Sequence, residues 1–221
     1  MRPSSNKPDS TEQGLSAVSI VLIRHGETAL NVARVLQPAD TPLSVQGVAQ
    51  AQAVARRLAA FGLAGIVSSD LPRAQCTADA IGAACGLSVA STALLQERNF
   101  GELRGQPYDG LGFDPMTMPQ APAGGESAQA FRRRVAQAFA QVVRLRAMSG
   151  GPLAVVTHGL VLRALLEAHV ALPAGCSLPA HIGNTAVSIV SAEPPHVVHL
   201  LACTRHLDSS SQDDAHGLSG G

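Results

Sequence analysis

Short continuous apolar runs alternate along this chain with stretches whose apolar residues recur three and four apart. Val21-Leu22-Ile23 and Leu153-Ala154-Val155-Val156-Thr157 are runs of the first kind and predict strands buried on both faces. Gly65-Ile66-Val67-Ser68-Ser69 and Leu87 to Ala90 predict two further short strands. Helical spacing appears at Val45, Val48, Ala51, Ala55 and Leu58, after a cap signal at Pro42-Leu43-Ser44 and before a stop at Gly62. A second helix is expected after Asp70 as its cap, with Leu71, Ala74, Ala78, Ile81 and Cys85 on its apolar face. A long third begins near Glu126, with Ala128, Phe131, Val135, Ala138, Val142 and Leu145 facing inward and Arg132, Arg133, Arg134, Arg144 and Arg146 as its wet face. Leu160 to Val170 is apolar nearly all round, as a buried helix would be. Thr185 to Val190 and Val197 to Leu201 predict a terminal hairpin around Glu193-Pro194-Pro195. Strands and helices in alternation predict an α/β fold, with helices covering both faces of a largely parallel sheet.

The pattern breaks in two kinds of place. From Phe100 to Gly125 there is no period but six glycines and four prolines, which predicts a loop-rich flap over a site. Residues 1–15 and 208–221 are rich in Ser, Gly, Asp and other polar residues and are expected to be disordered tails around one domain over residues 16–207. A chain of 221 residues with 46% hydrophobic content is long enough for one sizeable core. Sixteen basic and sixteen acidic residues balance, so neither nucleic acid nor an anionic membrane is an expected partner. At 3% aromatic content and no Trp, base-stacking platforms are not expected either. Cys76, Cys85, Cys176 and Cys203 form no CxxC pair and read as reduced thiols of a cytoplasmic protein. The apolar stretch from Gly14 to Ile23 is preceded by Asp9 and Glu12 and followed by no small-x-small cleavage site, so it reads as a strand and not an export signal.

Two of the strand-like runs end in the same chemistry. Val21-Leu22-Ile23 leads into Arg24-His25-Gly26-Glu27-Thr28, and the run closing at Thr157 leads into His158-Gly159. If the two runs are neighbouring parallel strands, both imidazoles leave the sheet at one carboxyl edge, about 5 Å apart. Arginine grips a phosphoryl group through its planar fork, and a neutral imidazole can attack phosphorus. Arg24, Arg73 and a protonated His158 could then clamp a dianion. His25 would stay neutral, one ring nitrogen fixed by an acceptor such as a backbone carbonyl. Arg73 falls in the first turn of its helix, where free amides already favour an anion. Glu97, which opens the flap, is a candidate proton donor to the leaving oxygen; a surface ion pair with Arg98 is the alternative reading of the same residue.

Taken in order, Arg24-His25-Gly26-Glu27-Thr28 with Asn31, Pro42-Leu43-Ser44 with Gly47, Ser68-Ser69-Asp70-Leu71 with Arg73-Ala74, Glu97 with Phe100-Gly101, Gly124-Gly125-Glu126-Ser127 and Thr157-His158-Gly159 resemble the histidine phosphatase superfamily, the phosphoglycerate-mutase-like proteins. The resemblance runs from about Ser19 to at least Val190. It implies a three-layer α/β/α fold with a mixed, mostly parallel six-stranded sheet and one antiparallel strand. It implies His25 as the phosphorylated nucleophile and Glu97 as proton donor and acceptor. Arg24, Arg73 and His158 would form the phosphate pocket, with Thr28, Asn31 and the Gly159 amide assisting in substrate binding. No metal and no other cofactor is implied.

Fold alone does not choose the reaction. A mutase must hold a second anionic group, yet Phe100 to Gly125 offers Arg104 alone as a cation, beside Glu102, Asp109 and Asp114. The expected function is therefore hydrolysis of a small phosphorylated metabolite with a mostly neutral or modestly apolar leaving group, through phosphohistidine. Leu111, Phe113, Met116 and Met118 could wall the site or simply pack. A phosphoglycerate mutase or sugar-bisphosphatase is the alternative enzyme, and a phospho-ligand-binding pseudoenzyme the alternative of another class. A dinucleotide-binding domain is set aside because no G-x-G-x-x-G follows the first strand. His196, His199 and His206 read as structural rather than metal-binding, and His169 and His181 as local packing. The expected partner is the small phosphorylated substrate, with association into a homodimer left open.

Overall fold

A computed structural model describes residues 19–118 and 120–207; the tails expected over residues 1–15 and 208–221 lie outside the described residues. Its strands are β1 (Ser19–Arg24), β2 (Gly65–Ser69), β3 (Val89–Thr92), β4 (Leu153–Thr157), β5 (Val187–Ser191) and β6 (Val198–Cys203). The α-helices are α1 (Ala29–Val32), α2 (Val45–Leu58), α3 (Pro72–Cys85), α4 (Ala128–Ser149) and α5 (Gly159–Ala168). The strands form one six-stranded sheet in the order β3-β2-β4-β1-β5-β6. β1, β4, β2 and β3 pair in parallel, and β5 runs antiparallel to both β1 and β6. This is the mixed, mostly parallel sheet that the alternation of runs and the resemblance led us to expect.

Alternate residues of the central strands feed two cores, as the two-residue period of a strand requires. Ile20, Leu22, Leu153 and Val155 pack with Phe131, Val135 and Val142 of α4 and Val161, Leu162 and Leu165 of α5. Val21, Ile23, Ala154 and Val156 pack on the other face with Val54 and Leu58 of α2 and Ala74, Ala78 and Ile81 of α3. Helices thus cover both faces, giving three layers. Because both faces of β1 and β4 are covered, these strands are buried along their whole length. Among the described residues, no helix is long and apolar enough to cross a membrane.

Several local expectations need correction. Helix α2 is capped by Ser44 as expected, but Val45 is 91% exposed and Val48 is exposed as well; the inward face is Gly47, Gln50, Ala51, Val54, Ala55 and Leu58. The stripe was offset because two β-branched residues happen to share a helical repeat with the true core positions, while Gly47 and Gln50 carry no hydrophobic signal. The cap of α3 is Leu71 with Pro72 behind it, not Asp70. Ser69 Oγ accepts from the Leu71 N–H at 3.2 Å, and Asp70 instead accepts from Gln96 Nε2 at 2.7 Å. Cys85 does lie on the apolar face of α3 as expected, packed against the core at the end of the helix and partly buried. Strand β3 lies two residues later than Leu87–Ala90. Of the five arginines assigned to the wet face of α4, Arg146 is buried, and Arg134 turns back onto the segment before the flap with its side chain 18% exposed.

The flap is a closed loop with little regular structure beyond the single turns Gly101–Leu103 and Tyr108–Gly110. Its two ends meet. Glu102 N–H donates to Ala123 O at 3.0 Å and Glu126 N–H to Asn99 O at 2.7 Å. The backbones approach so closely that a Cβ on Gly101, which also has φ +54°, would overlap the Ala123 carbonyl. The body of the flap is pinned by Gly105 N–H to Leu36 O (2.6 Å) and Leu36 N–H to Gln106 O (3.0 Å). Leu36, Phe100 and Tyr108 form a small separate core beneath it.

Candidate active site

The register of the sheet builds the site. Arg24 at the end of β1 lies opposite Thr157 at the end of β4, so the next residue on each strand, His25 and His158, leaves the same edge side by side. Their ring centroids are 5.1 Å apart, and both residues are fully buried. The His25 Nδ1–H donates to its neighbour's carbonyl, Gly26 O, at 2.6 Å, the backbone acceptor that the sequence reading called for. Nε2 is buried and has no hydrogen-bond partner. The ring is therefore held in one tautomer with its unshared electron pair unused.

The loop behind His25 is held tightly. Gly26 N–H donates to Thr77 Oγ1 at 3.0 Å, and Thr185 N–H and Asn184 Nδ2 both donate to the His25 carbonyl, at 3.2 and 3.1 Å. Glu27 accepts from Ser44 Oγ at 2.6 Å through Oε1, while its backbone oxygen accepts from the Ser44 N–H at 2.9 Å. This packing explains the glycine of the Pro42-Leu43-Ser44 series: a Cβ on Gly47 would overlap the Glu27 carbonyl.

The two arginines arrive from different elements. Arg24 Nη1 donates to Ile182 O at 2.6 Å and lies 3.4 Å from His181 Nε2. Arg73, in the first turn of α3, is 1% exposed; its Nη1 reaches Pro38 O and Ala39 O at 3.3 and 3.4 Å, and its Nε has no partner. Burial is the main reason the Arg73 pKa falls to about 10, with Glu97 opposing that fall and Arg104 and Arg24 adding to it. Burial, then the charges of Arg73 and Arg24, push the His25 pKa well below its ordinary value. Burial, Arg73, His25, Arg24 and Arg134 do the same to His158. Two buried guanidinium groups make a third positive charge unfavourable by itself, so the protonated His158 of the expected clamp requires an anion between them. His158 Nε2 shares a 2.8 Å hydrogen bond with Ser69 Oγ, and Nδ1 is buried without a partner.

Glu97 is 5% exposed, which removes the surface ion pair as its reading. Its Oε1 accepts from the Arg98 N–H at 2.9 Å and its Oε2 from the Leu160 N–H, in the first turn of α5, at 3.1 Å. Burial raises its pKa despite the opposing effects of those two N–H groups and of Arg73 and Arg24. A carboxyl group is thus kept closer to its neutral form beside a cluster of cations. The segment that carries it is tied to the imidazole edge by Thr157 Oγ1, which donates to Leu95 O at 2.7 Å.

The structure brings Arg24, His25, Arg73, Glu97 and His158 to one edge, with Gly159 starting α5 there. It gives Thr28 and Asn31 different parts. The Thr28 hydroxyl is committed, accepting from Asn31 N–H at 3.0 Å and donating to Gln37 Oε1 at 2.8 Å, so Thr28 caps α1 rather than offering a free donor. Asn31 returns the cap through Oδ1, while its Nδ2 is buried without a partner. His181, expected to be local packing, instead lies against Arg24. Ser69 and Asn184 were given no functional role from sequence; an isolated Ser or Asn carries no periodic or spacing signal. His169 and His196 stack on and abut Phe139, and His206 bonds Thr185 Oγ1 and Arg57. Among the described residues, no three His, Cys, Asp or Glu side chains are grouped closely enough to hold a metal ion.

Residues 20–202 match the histidine phosphatase superfamily (branch 1). The chain is 34% identical over 217 residues to "Probable phosphoglycerate mutase GpmB" of Yersinia pestis (strain Pestoides F), spanning 89% of this chain and 98% of that protein. It resembles the solved structure of a mycobacterial glucosyl-3-phosphoglycerate phosphatase at 29% identity and a TM-score of 0.68, over 84% of this chain and 99% of that one. The fold is also that of a phosphoglycerate mutase from Bacillus anthracis str. Sterne, with a TM-score of 0.71 at 23% identity over 90% of this chain and 97% of that one. With its two imidazoles at one sheet edge and this match along most of its length, the chain belongs to the histidine phosphatase superfamily, branch 1.

Proposed function

We propose that this protein hydrolyses a phosphate monoester of a small metabolite through a phosphohistidine at His25. The observation that carries the reading is the His25 Nε2, a neutral, buried nitrogen with no partner, beside Arg73 and Arg24. In the first step Nε2 attacks phosphorus as the bond from phosphorus to the ester oxygen breaks, and protonated Glu97 gives that oxygen its proton. Arg24 and Arg73 hold the charge on the remaining phosphoryl oxygens, and His158 joins them by taking up a proton as the dianion enters. In the second step water attacks phosphorus and Glu97 takes the water's proton. The nitrogen-to-phosphorus bond then breaks, releasing phosphate and neutral His25. Each step is assigned to a side chain, so we expect turnover to survive a chelator.

A mutase is the second reading, favoured by the name of the Yersinia relative and by one feature of the flap. Arg104 Nε is buried without a partner, and the Arg104 charge bears on Arg73, so a second anionic group on the substrate would have a cation to meet. A panel of phosphorylated metabolites, assayed together for released phosphate and for isomerised product, tests both. We expect phosphate release to dominate; isomerisation faster than release on any substrate would assign a mutase. Neither product from any member, with phosphate still bound, would assign a binding protein.

A further inference from the structure

Arg134 has no place in the chemistry above, yet its guanidinium group is more fully engaged than a surface residue of α4 would be. Nε and Nη2 form a two-pronged contact with Glu126, at 2.8 Å to Oε1 and 2.7 Å to Oε2. Nη1 donates to the carbonyls of Leu94 and Gln96 at 2.9 and 2.7 Å, and Nη2 also reaches the carbonyl of Glu97 at 3.3 Å. One side chain thus grips three carbonyls in the four residues that end at the proposed acid. Glu126 extends the grip past it, since its Oε2 also accepts from the Asn99 N–H at 3.0 Å. Burial pushes the Glu126 pKa up, but the bonds from Arg134 and Asn99 and the charges of Arg134 and Arg98 outweigh it, and the carboxylate stays ionised.

The segment needs such a grip because it has no ladder of its own. Beyond β3 the chain makes a single turn at Ala93–Leu95 and then runs as irregular backbone, leaving its carbonyls to be satisfied by side chains. We infer that Arg134, oriented by Glu126, is a positioning residue for Glu97: it holds the peptide on both sides of the acid so that the carboxyl stays between the Arg98 and Leu160 amides. Arg98 joins the flap to the same frame, with Nη1 on Pro115 O and Met116 O at 3.4 and 3.2 Å and Nη2 on Met118 O at 3.2 Å. The planar fork of arginine can bridge a carboxylate and several carbonyls at once, and lysine, with one nitrogen, cannot.

The inference rests on Glu97 being the acid, so Arg134→Met, Arg134→Lys and Glu97→Gln are measured together on an aryl phosphate, whose leaving group needs no proton, and an alkyl phosphate, whose leaving group does. Misplacing a reacting group by about 1 Å can cost about 100-fold. We expect Arg134→Met to lower kcat/KM, which reports the phosphoryl-transfer step and not the later attack of water, on the alkyl ester by about 10- to 100-fold and on the aryl ester by no more than about 3-fold. Inhibition by inorganic phosphate should change little, because the phosphate pocket is untouched, and Arg134→Lys should recover only part of the loss. Should the Met variant fold poorly, the Lys variant carries the same comparison. Equal losses on the two esters, or no loss on either, would overturn the positioning role and leave Arg134 a stabilising residue. If Glu97→Gln itself fails to separate the esters, the acid assignment falls first and the inference falls with it.

Discussion

The proposed nucleophile and the proposed acid meet at the same edge of the sheet but are held there by different means. His25 and His158 stand one residue beyond paired strands, and the register of β1 against β4 alone brings their rings to 5.1 Å. Glu97 stands at the end of a turn and irregular backbone, and its place depends on Thr157 from β4, Leu160 from α5 and Arg134 and Glu126 from the α4 end of the flap. The first arrangement inherits the rigidity of a central sheet buried on both faces. The second is assembled from side chain to backbone bonds, each worth about 0.5–1.5 kcal/mol net, or up to about 3 where a charge is involved. On the proposed mechanism, phosphoryl capture is therefore built into the core of the fold, and proton delivery is attached to it.

Breaking each end separately should expose that division. His25→Ala removes the group that takes the phosphoryl, so hydrolysis of both aryl and alkyl esters should fall by about 10⁴-fold or more. Phosphate release measured with chelator present checks it, and near-normal rates would reject the nucleophile assignment. Glu97→Gln should be selective in kcat/KM, which reports the phosphoryl-transfer step, costing about 10²- to 10⁴-fold on the alkyl ester and far less on the aryl ester. A rapid burst of phenol from the aryl ester, followed by slow phosphate release, would show that loss of the same residue also slows water attack.

The same division governs what the sequence made legible. The strand ends were readable because a buried strand announces itself as an apolar run, and the residue after it must lie at the sheet edge. Arg24, His25, Thr157 and His158 follow from that alone. Glu97 was readable only as one of two alternatives until the resemblance tipped the choice, since a glutamate after a short strand has no pattern to separate acid from ion pair. Arg134 was misread because helical periodicity places it off the apolar stripe of α4, and nothing local reports that Glu126 and three distant carbonyls wait there. Val45 and Val48 were misread for the converse reason, as apolar residues on a helix whose inward face is set by close backbone contact at Gly47. Tertiary hydrogen bonds and close approaches leave no periodic trace.

Gly47 also offers a smaller test of the rigid end. A Cβ there would overlap the Glu27 carbonyl, which is backbone and cannot rotate away. Gly47→Ala should therefore force the loop after His25 away from α2, at about 1–3 kcal/mol of stability. Urea unfolding measures the loss. Activity should fall on both esters alike, since the displacement acts on His25 and not on Glu97; a loss confined to the alkyl ester would place the strain at the acid instead.

The mildest probe is pH, and its sign differs for the two ends. His25 and His158 are buried with pKa values driven well below 6.5 by burial, Arg73 and Arg24. The unfolded chain binds their protons near pH 6.5 and the native chain refuses them, so each ring destabilises the fold by up to about 1.4 kcal/mol per pH unit as pH falls below 6.5. Glu97 works the other way. Its raised pKa contributes stability that is full below the ordinary carboxylate value and is lost as pH rises through the raised one. Activity should follow the same two limbs, falling on the acid side as His25 gains its proton and on the alkaline side as Glu97 loses its own. Thermal unfolding between pH 7 and pH 5 should show Tm declining, and saturating inorganic phosphate should flatten that decline, because an anion between Arg24 and Arg73 restores the affinity of His158 for a proton. Calorimetric titration of phosphate in buffers of different ionisation enthalpy should then record proton uptake on binding. No uptake would mean that the bound phosphate brings its own proton and that His158 stays neutral throughout, leaving the two arginines as the whole clamp.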